Sequence, residues 1–285
     1  MSKQAGKGRS GGWMSAPMAI WMLLFVALPL LYVLGASLYE RQESWGVSDR
    51  LTLDNYRMLL NPIYWSVFVD SIKLAVQSTA LTFLVGYPFA YCMAKSAPRW
   101  RVLLMLLVII PFWTSALMRT YGWMILLRAN GPINSALRSL GWIDRPLKLL
   151  YTHGAVLLGM TYMLLPFMIL PCYNAVDRMD WRTVEAARDL GAPPWRAFLT
   201  VTLPLTVPGI VSGCVLVFVP TMGLYFISDL MGGGKTALIG WLIHDQMLKA
   251  RNPPFGAALS VVLVGLTVVV VFIQRKLGGR DIGIF

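Results

Sequence analysis

The chain is poor in charge. Only 13% of its 285 residues are Asp, Glu, Lys or Arg, while 57% are hydrophobic. A soluble domain of this length carries roughly 25% charged residues, so the deficit excludes an ordinary soluble fold and points to a polytopic membrane protein. Histidine is almost missing: His153 and His244 stand alone, and without a matching ligand cluster they make no metal site. Cys92, Cys172 and Cys214 lie far apart in apolar runs. There they read as small buried hydrophobes, not as a disulfide framework. Acidic residues are also scarce, 13 against 25 Lys and Arg, for a net charge of +12. In a soluble chain such an excess suggests nucleic acid. Here most of the cations fall between apolar runs, where they set membrane topology, and no nucleic-acid partner is expected.

What the chain has instead is long apolar runs. Six approach or reach the roughly 20 residues that cross a bilayer as a helix: Ala16–Leu38, Phe68–Ala94, Val102–Leu127, Gly154–Tyr173, Leu205–Ser228 and Phe255–Gln274. Backbone groups must bond within each segment where water is absent, so six transmembrane helices follow. The alternation of a membrane barrel is missing. Lys3, Lys7 and Arg9 precede the first run as in a secretory signal, but the run is longer than a signal's apolar region, so it reads as an uncleaved anchor.

Lys and Arg give the orientation. One set of connecting segments holds Lys3, Lys7, Arg9; Lys95, Arg99, Arg101; Arg178, Arg182, Arg188, Arg196; and Arg275, Lys276, Arg280. The other holds Arg41, Arg50, Arg57; Arg128, Arg138, Arg145, Lys148; and Lys235, Lys249, Arg251. The first set is larger on shorter loops overall and is placed in the cytoplasm, with both termini. The external segments Tyr39–Val67, Arg128–His153 and Asp229–Pro254 are long for simple hairpins. They read either as short helices capping a pore or as ordinary connections.

One polar stretch stands out between two apolar runs: EAARDLGAPPWRAFLTVTLP, Glu185 to Pro204. Asp180 can cap a short helix beginning near Trp181. Gly191 can end it in a left-handed conformation, and a second helix can start at Pro194. Ala186 and Ala187 allow close approach by another surface. Glu185, Arg188 and Arg196 offer charged contacts, and Trp195 and Phe198 offer apolar area. The alternative is a generic amphipathic helix lying on the membrane.

The spacing Glu185-Ala186-Ala187, then Gly191, then Val201 and Leu203-Pro204, resembles the cytoplasmic EAA loop of ABC importer permeases. PFWTSALMRTYGW around Trp113, LYFISDLMGGGKTALIGWLI from Leu224 and Leu165-Pro166-Phe167 are similar to the spermidine/putrescine permeases, the PotB and PotH type. The resemblance implies an all-α membrane protein with the type I ABC importer permease (MetI-like) fold. Its parts are a tail at 1–15, an extra N-terminal helix and periplasmic segment at 16–60, a five-helix core at 61–276 with the coupling loop at 177–205, and a tail at 277–285. It further implies an ABC ATPase dimer, a second homologous permease and a periplasmic substrate-binding protein as partners, in the bacterial inner membrane. ATP-Mg then sits on the ATPase, with no cofactor on this chain and no catalytic role for it. Glu185, Ala186, Ala187, Gly191, Trp195, Arg196 and Phe198 become the ATPase-coupling residues.

Gly232-Gly233-Gly234-Lys235-Thr236 looks like a phosphate-binding loop, but that motif needs glycine where Asp229 stands, and a preceding strand. The glycines read as a tight turn after the fifth run. Asp229, Arg119, Trp113, Tyr121 and Tyr225 are candidates for a substrate path, since a polyamine needs carboxylates for its ammonium groups and aromatic faces beside them. The competing reading pairs Asp229 with Arg119 to lock two helices and makes the aromatics interfacial anchors. Another small solute, such as an amino-acid derivative or a phosphonate, fits the same fold. An intramembrane enzyme lacks a convergent nucleophile and base, and a passive channel leaves the EAA loop unexplained.

Overall fold

A computed structural model describes residues 11–42, 46–234 and 236–277. Lys3, Lys7, Arg9, Lys235, Arg280 and the outer parts of both tails lie outside the described residues. The chain divides into two compact units, Met1–Asn61 with Asp245–Leu263, and Pro62–His244 with Val264–Phe285.

The first unit begins with α1 (Gly11–Met22), a π turn at Leu23–Ala27 and α2 (Leu28–Ala36). Pro29 has no amide to donate to Phe25, and the widened turn just before it absorbs the missing bond. Within this stretch, Pro17–Ala36 is a 20-residue span with none of its 18-residue apolar window buried. A helix that is apolar all round is suited to lipid. Next come β1 (Tyr39–Arg41) and β2 (Val47–Leu51), an antiparallel hairpin, and α3 (Asp54–Met58). Buried Asn55 fixes this corner by donating to the carbonyls of Ser37 (3.0 Å) and Tyr39 (2.8 Å).

The second unit holds α4 (Pro62–Lys95), α5 (Pro98–Ile109), a 3-10 turn at Ile110–Trp113, α6 (Ala116–Leu127) and α7 (Pro132–Ser139). It continues with α8 (His153–Asp177), α9 (Trp181–Asp189), α10 (Pro194–Ala197), α11 (Leu203–Gly223), α12 (Tyr225–Gly232) and α13 (Ile239–His244). The last helix, α14 (Pro253–Leu277), contributes to both units. Proline opens α4, α5, α7, α10 and α14, where its missing amide costs nothing and its fixed φ is already helical. α8 instead starts from Thr152, whose Oγ1 accepts from the amide of Ala155 at 3.2 Å.

The core of this unit lies where α4, α8 and α11 pack together. Leu74, Met93, Met160, Leu164, Met168, Ile169 and Val217 are fully buried there. Gly209 sets the closest approach of α11 to α8: a Cβ at this position would sit 2.4 Å from Cβ of Ala175 and 2.7 Å from the carbonyl of Pro171. One polar tie crosses the core, Tyr87 Oη to Thr206 Oγ1 at 2.8 Å.

Among the described residues, five helices are long and apolar enough to cross a membrane: Pro17–Ala36, Pro62–Lys95, His153–Asp177, Pro194–Gly223 and Pro253–Lys276. The third run is the exception. Val102–Leu127 is not one straight span but a pair, Pro98–Trp113 and Ala116–Ser139, bent by 97°. Pro111 tightens the first member into its 3-10 turn, and Thr114 and Ser115 are extended. The fifth span also differs from its expected bounds. It starts at Pro194, not Leu205, and stops at Gly223, so Tyr225 and Asp229 belong to the separate helix α12. That helix ends on Gly233 and Gly234, both with positive φ, which is the tight turn read from the glycines.

Candidate functional site

The EAA stretch forms the local structure its residues dictate. Asp180 accepts from the amide of Arg182 at 3.1 Å and caps α9. At the other end Gly191 has φ +89°. The amide of Gly191 donates to Arg188 (2.9 Å) and that of Ala192 to Ala187 (3.1 Å), a Schellman ending that satisfies the last carbonyls of α9. Pro194 opens α10, which does not stand alone. It passes through a π turn, Phe198–Thr202, directly into α11. Pro204 cannot donate to Thr200, and the amide of Leu203 reaches back to Phe198 instead, so the turn widens without breaking the helix.

The loop is held to the rest of its unit by aromatic and ionic contacts. Trp181 lies 6.1 Å from the ring of Tyr91 on α4, and Lys95 Nζ sits 4.5 Å from Tyr91 and 5.1 Å from Trp181. Phe198 meets Tyr91 edge-on at 5.5 Å and Tyr87 at 6.0 Å. Nearby, Arg101 at the start of α5 pairs with Asp177 at the end of α8 (2.9 Å) and donates to the carbonyl of Ala94 at 2.8 Å.

The face left open includes Glu185, Ala186, Arg188, Asp189, Leu190, Gly191, Trp195 and Arg196. Leu190 is 90% exposed and Trp195 65%. A leucine and a tryptophan bared on a capped loop and flanked by the carboxylates of Glu185 and Asp189 and the guanidiniums of Arg188 and Arg196 are suited to a complementary groove. Two of the expected coupling residues differ from the rest. Ala187 is half-buried, and Phe198 does not offer apolar area outward: it points into the chain's own core, because Tyr87 and Tyr91 provide the ring surface that its side chain covers. Leu190 was not singled out from the sequence. Its signal was its place just before Gly191, where the last residue of a capped helix is carried away from the core.

The substrate-path candidates do not meet at one place. Trp113 is 81% exposed and Tyr121 is exposed. Arg119 lies over the ring of Phe112 at 5.0 Å and lines a cavity of about 240 Å³ with Tyr162 and Pro166. Tyr225 stacks on His244 at 4.5 Å. Asp229 is exposed and lines a different cavity, of about 470 Å³, with Tyr151, Lys148 and Met124. No Arg119–Asp229 ion pair forms among the described residues, so the lock between two helices is not made. Tyr151, which the sequence did not mark, has φ +61° and donates its amide to Met231 at 3.1 Å. No cluster of His, Cys, Asp or Glu among the described residues is fit to hold a metal ion.

The family model described as "Binding-protein-dependent transport system inner membrane component" matches residues 86–280. The spermidine/putrescine transport system permease protein PotB of Escherichia coli (strain K12) is 44% identical over 265 residues, covering 92% of this chain and 96% of its own. Among solved structures, a bacterial ABC transporter involved in the import of the acidic polysaccharide alginate superimposes with a TM-score of 0.71 at 19% identity, covering 94% of each chain. The methionine ABC transporter MetNI, inward facing, gives a TM-score of 0.55 at 19% identity, covering 76% of this chain and 97% of its own.

Proposed function

The chain belongs to the binding-protein-dependent transport system inner membrane components, and on that premise we propose that it is the polyamine-conducting permease subunit of an ABC importer, moving spermidine or putrescine across the inner membrane. The substrate class rests on the 44% identity to PotB over nearly the whole chain. The partners of this reading are an ABC ATPase dimer, a second homologous permease and a periplasmic substrate-binding protein. Both termini and the EAA loop face the cytoplasm, as the Lys and Arg bias suggests. ATP and its magnesium belong to the ATPase, and this chain performs no chemistry of its own.

The mechanism is alternating access. A loaded binding protein docks outside, ATP closes the motor dimer, and closure displaces the loop from α9 to α10. The helices then open outward to receive the substrate, and hydrolysis resets them inward. Energetically, ATP acts only through its different stabilisation of the two states. The observation that carries the coupling role is the open face of Glu185, Ala186, Leu190 and Trp195 on a doubly capped loop. α10 supports it by running without interruption into the span that ends at Gly223, so a push on the loop is a push on a core helix. On the substrate side, the carboxylate of Asp229 and the ring of Tyr151 share a cavity with Lys148; an acid beside an aromatic face suits an ammonium group, which would there compete with the Lys148 ammonium for Asp229.

Two variants test the coupling role. Glu185→Lys reverses the exposed carboxylate that opens the EAA motif. Gly191→Pro is incompatible with φ +89° and removes the amide that bonds Arg188. Both are expected to abolish uptake while the chain still inserts into the membrane. Normal uptake by both rejects the coupling role of the loop.

A further inference from the structure

We propose that Trp181, Lys95 and Tyr91 form a clamp that carries movement of the docking loop into α4; the proposal rests on the coupling reading above. α9 bears Glu185, Ala186 and Arg188 of the open face, yet its own attachment to α4 is narrow. Its capping bonds are local, from Arg182 and Thr183 to Asp180, and among the described residues no hydrogen bond or ion pair joins α9 to a core helix. Besides its packing on the Phe198–Thr202 turn, α9 meets α4 through Trp181, which lies on Tyr91 at 6.1 Å, with Lys95 Nζ over both rings at 4.5 and 5.1 Å.

This arrangement resists displacement in both directions. A cation over two ring faces is attracted to each and weakens if either ring slides away. Lys95 also ends α4, where a cation favours the helix C-terminus. Tyr91 is shared further: its other ring contact is Phe198, at the start of the π turn that leads into α11. The same tyrosine therefore touches the element before the docking tip and the element after it. α4 is continuous over 34 residues, about 50 Å at 1.5 Å per residue, so a force taken up at Lys95 reaches the far end at Pro62. On this view Trp181 and Lys95 are positioning residues. They touch neither substrate nor nucleotide, and they set how much of the motor's stroke reaches the helices.

The test uses the full importer, reconstituted with its ATPase and binding protein. It compares Trp181→Ala, Lys95→Met, Trp181→Phe and Lys95→Arg, and reads spermidine moved per ATP hydrolysed. Trp181→Ala and Lys95→Met are expected to assemble and hydrolyse ATP while the ratio falls roughly fivefold or more, the size of a modest coupling between sites. Trp181→Phe and Lys95→Arg keep a ring or a cation and are expected to restore the ratio. A ratio unchanged in Lys95→Met overturns the clamp, because Lys95 is exposed and its loss leaves folding and assembly intact even where Trp181→Ala fails to assemble. Wild-type importer without ATP-dependent uptake would instead overturn the coupling reading itself.

Discussion

Leu190→Ala separates docking from folding more cleanly than any other change on the open face. The side chain is 90% exposed, so its removal costs the folded chain little, within about 0.5 kcal/mol as for surface substitutions generally. In the docked complex the three lost carbons are buried, at about 0.8 kcal/mol per group, giving roughly 2 kcal/mol and a thirtyfold weaker complex. The α9 cap is untouched, since Gly191 and Ala192 still donate to Arg188 and Ala187. The assay is a titration of the ATPase subunit against the permease in lipid nanodiscs, with thermal unfolding of the permease measured alongside. The expected result is a Kd raised about thirtyfold at unchanged Tm. An unchanged Kd at unchanged Tm would show that the loop tip is not buried by the motor.

Asn134→Ala removes three bonds at once, to the carbonyls of Arg128 and Leu147 and from the amide of Leu147. Leaving buried groups unpaired costs about 1–3 kcal/mol each, so hydrogen exchange should quicken across 128–150 and stay normal in α8. Gly209→Val places atoms where Ala175 and the carbonyl of Pro171 already stand; overpacking of this kind costs about 1–3 kcal/mol, and a lowered Tm with poor membrane yield is expected. Arg101→Met breaks the pair with Asp177. Because both groups are about a third exposed, screening holds the loss to about 1 kcal/mol or less, a small drop in Tm that high salt should erase.

Local chemistry made the coupling loop legible. Asp180, Gly191 and Pro194 each have a strong intrinsic preference for the place they occupy, so the cap, the left-handed ending and the second helix start could be read one residue at a time. The apolar runs were legible for the same reason, since length and hydropathy are local. Tertiary contacts were not. The bend falls on the polar pair Thr114–Ser115 inside an apolar run, and neither that pair nor Pro111 distinguishes a kink from a 97° break. α10 and α11 read as separate because the polar loop ends and the apolar run begins only at Leu205; the π turn that lets one helix run through Pro204 is a matter of hydrogen-bond register. Phe198 and Trp195 are both aromatic and three residues apart, and only the position of Tyr87 and Tyr91 decides that one turns inward and the other stays open. Asp229 and Arg119 lie 110 positions apart, and nothing in their spacing tells whether they meet.

Uptake of labelled spermidine and putrescine is the measurement that bears most directly on the proposed function. It is made in cells that lack this chain, keep its partner subunits and have no other polyamine importer. Deletion is expected to abolish energy-dependent uptake of at least one amine, with restoration by the wild-type chain and not by Glu185→Lys. Uptake that persists unchanged after deletion would contradict the polyamine assignment while leaving the permease fold in place.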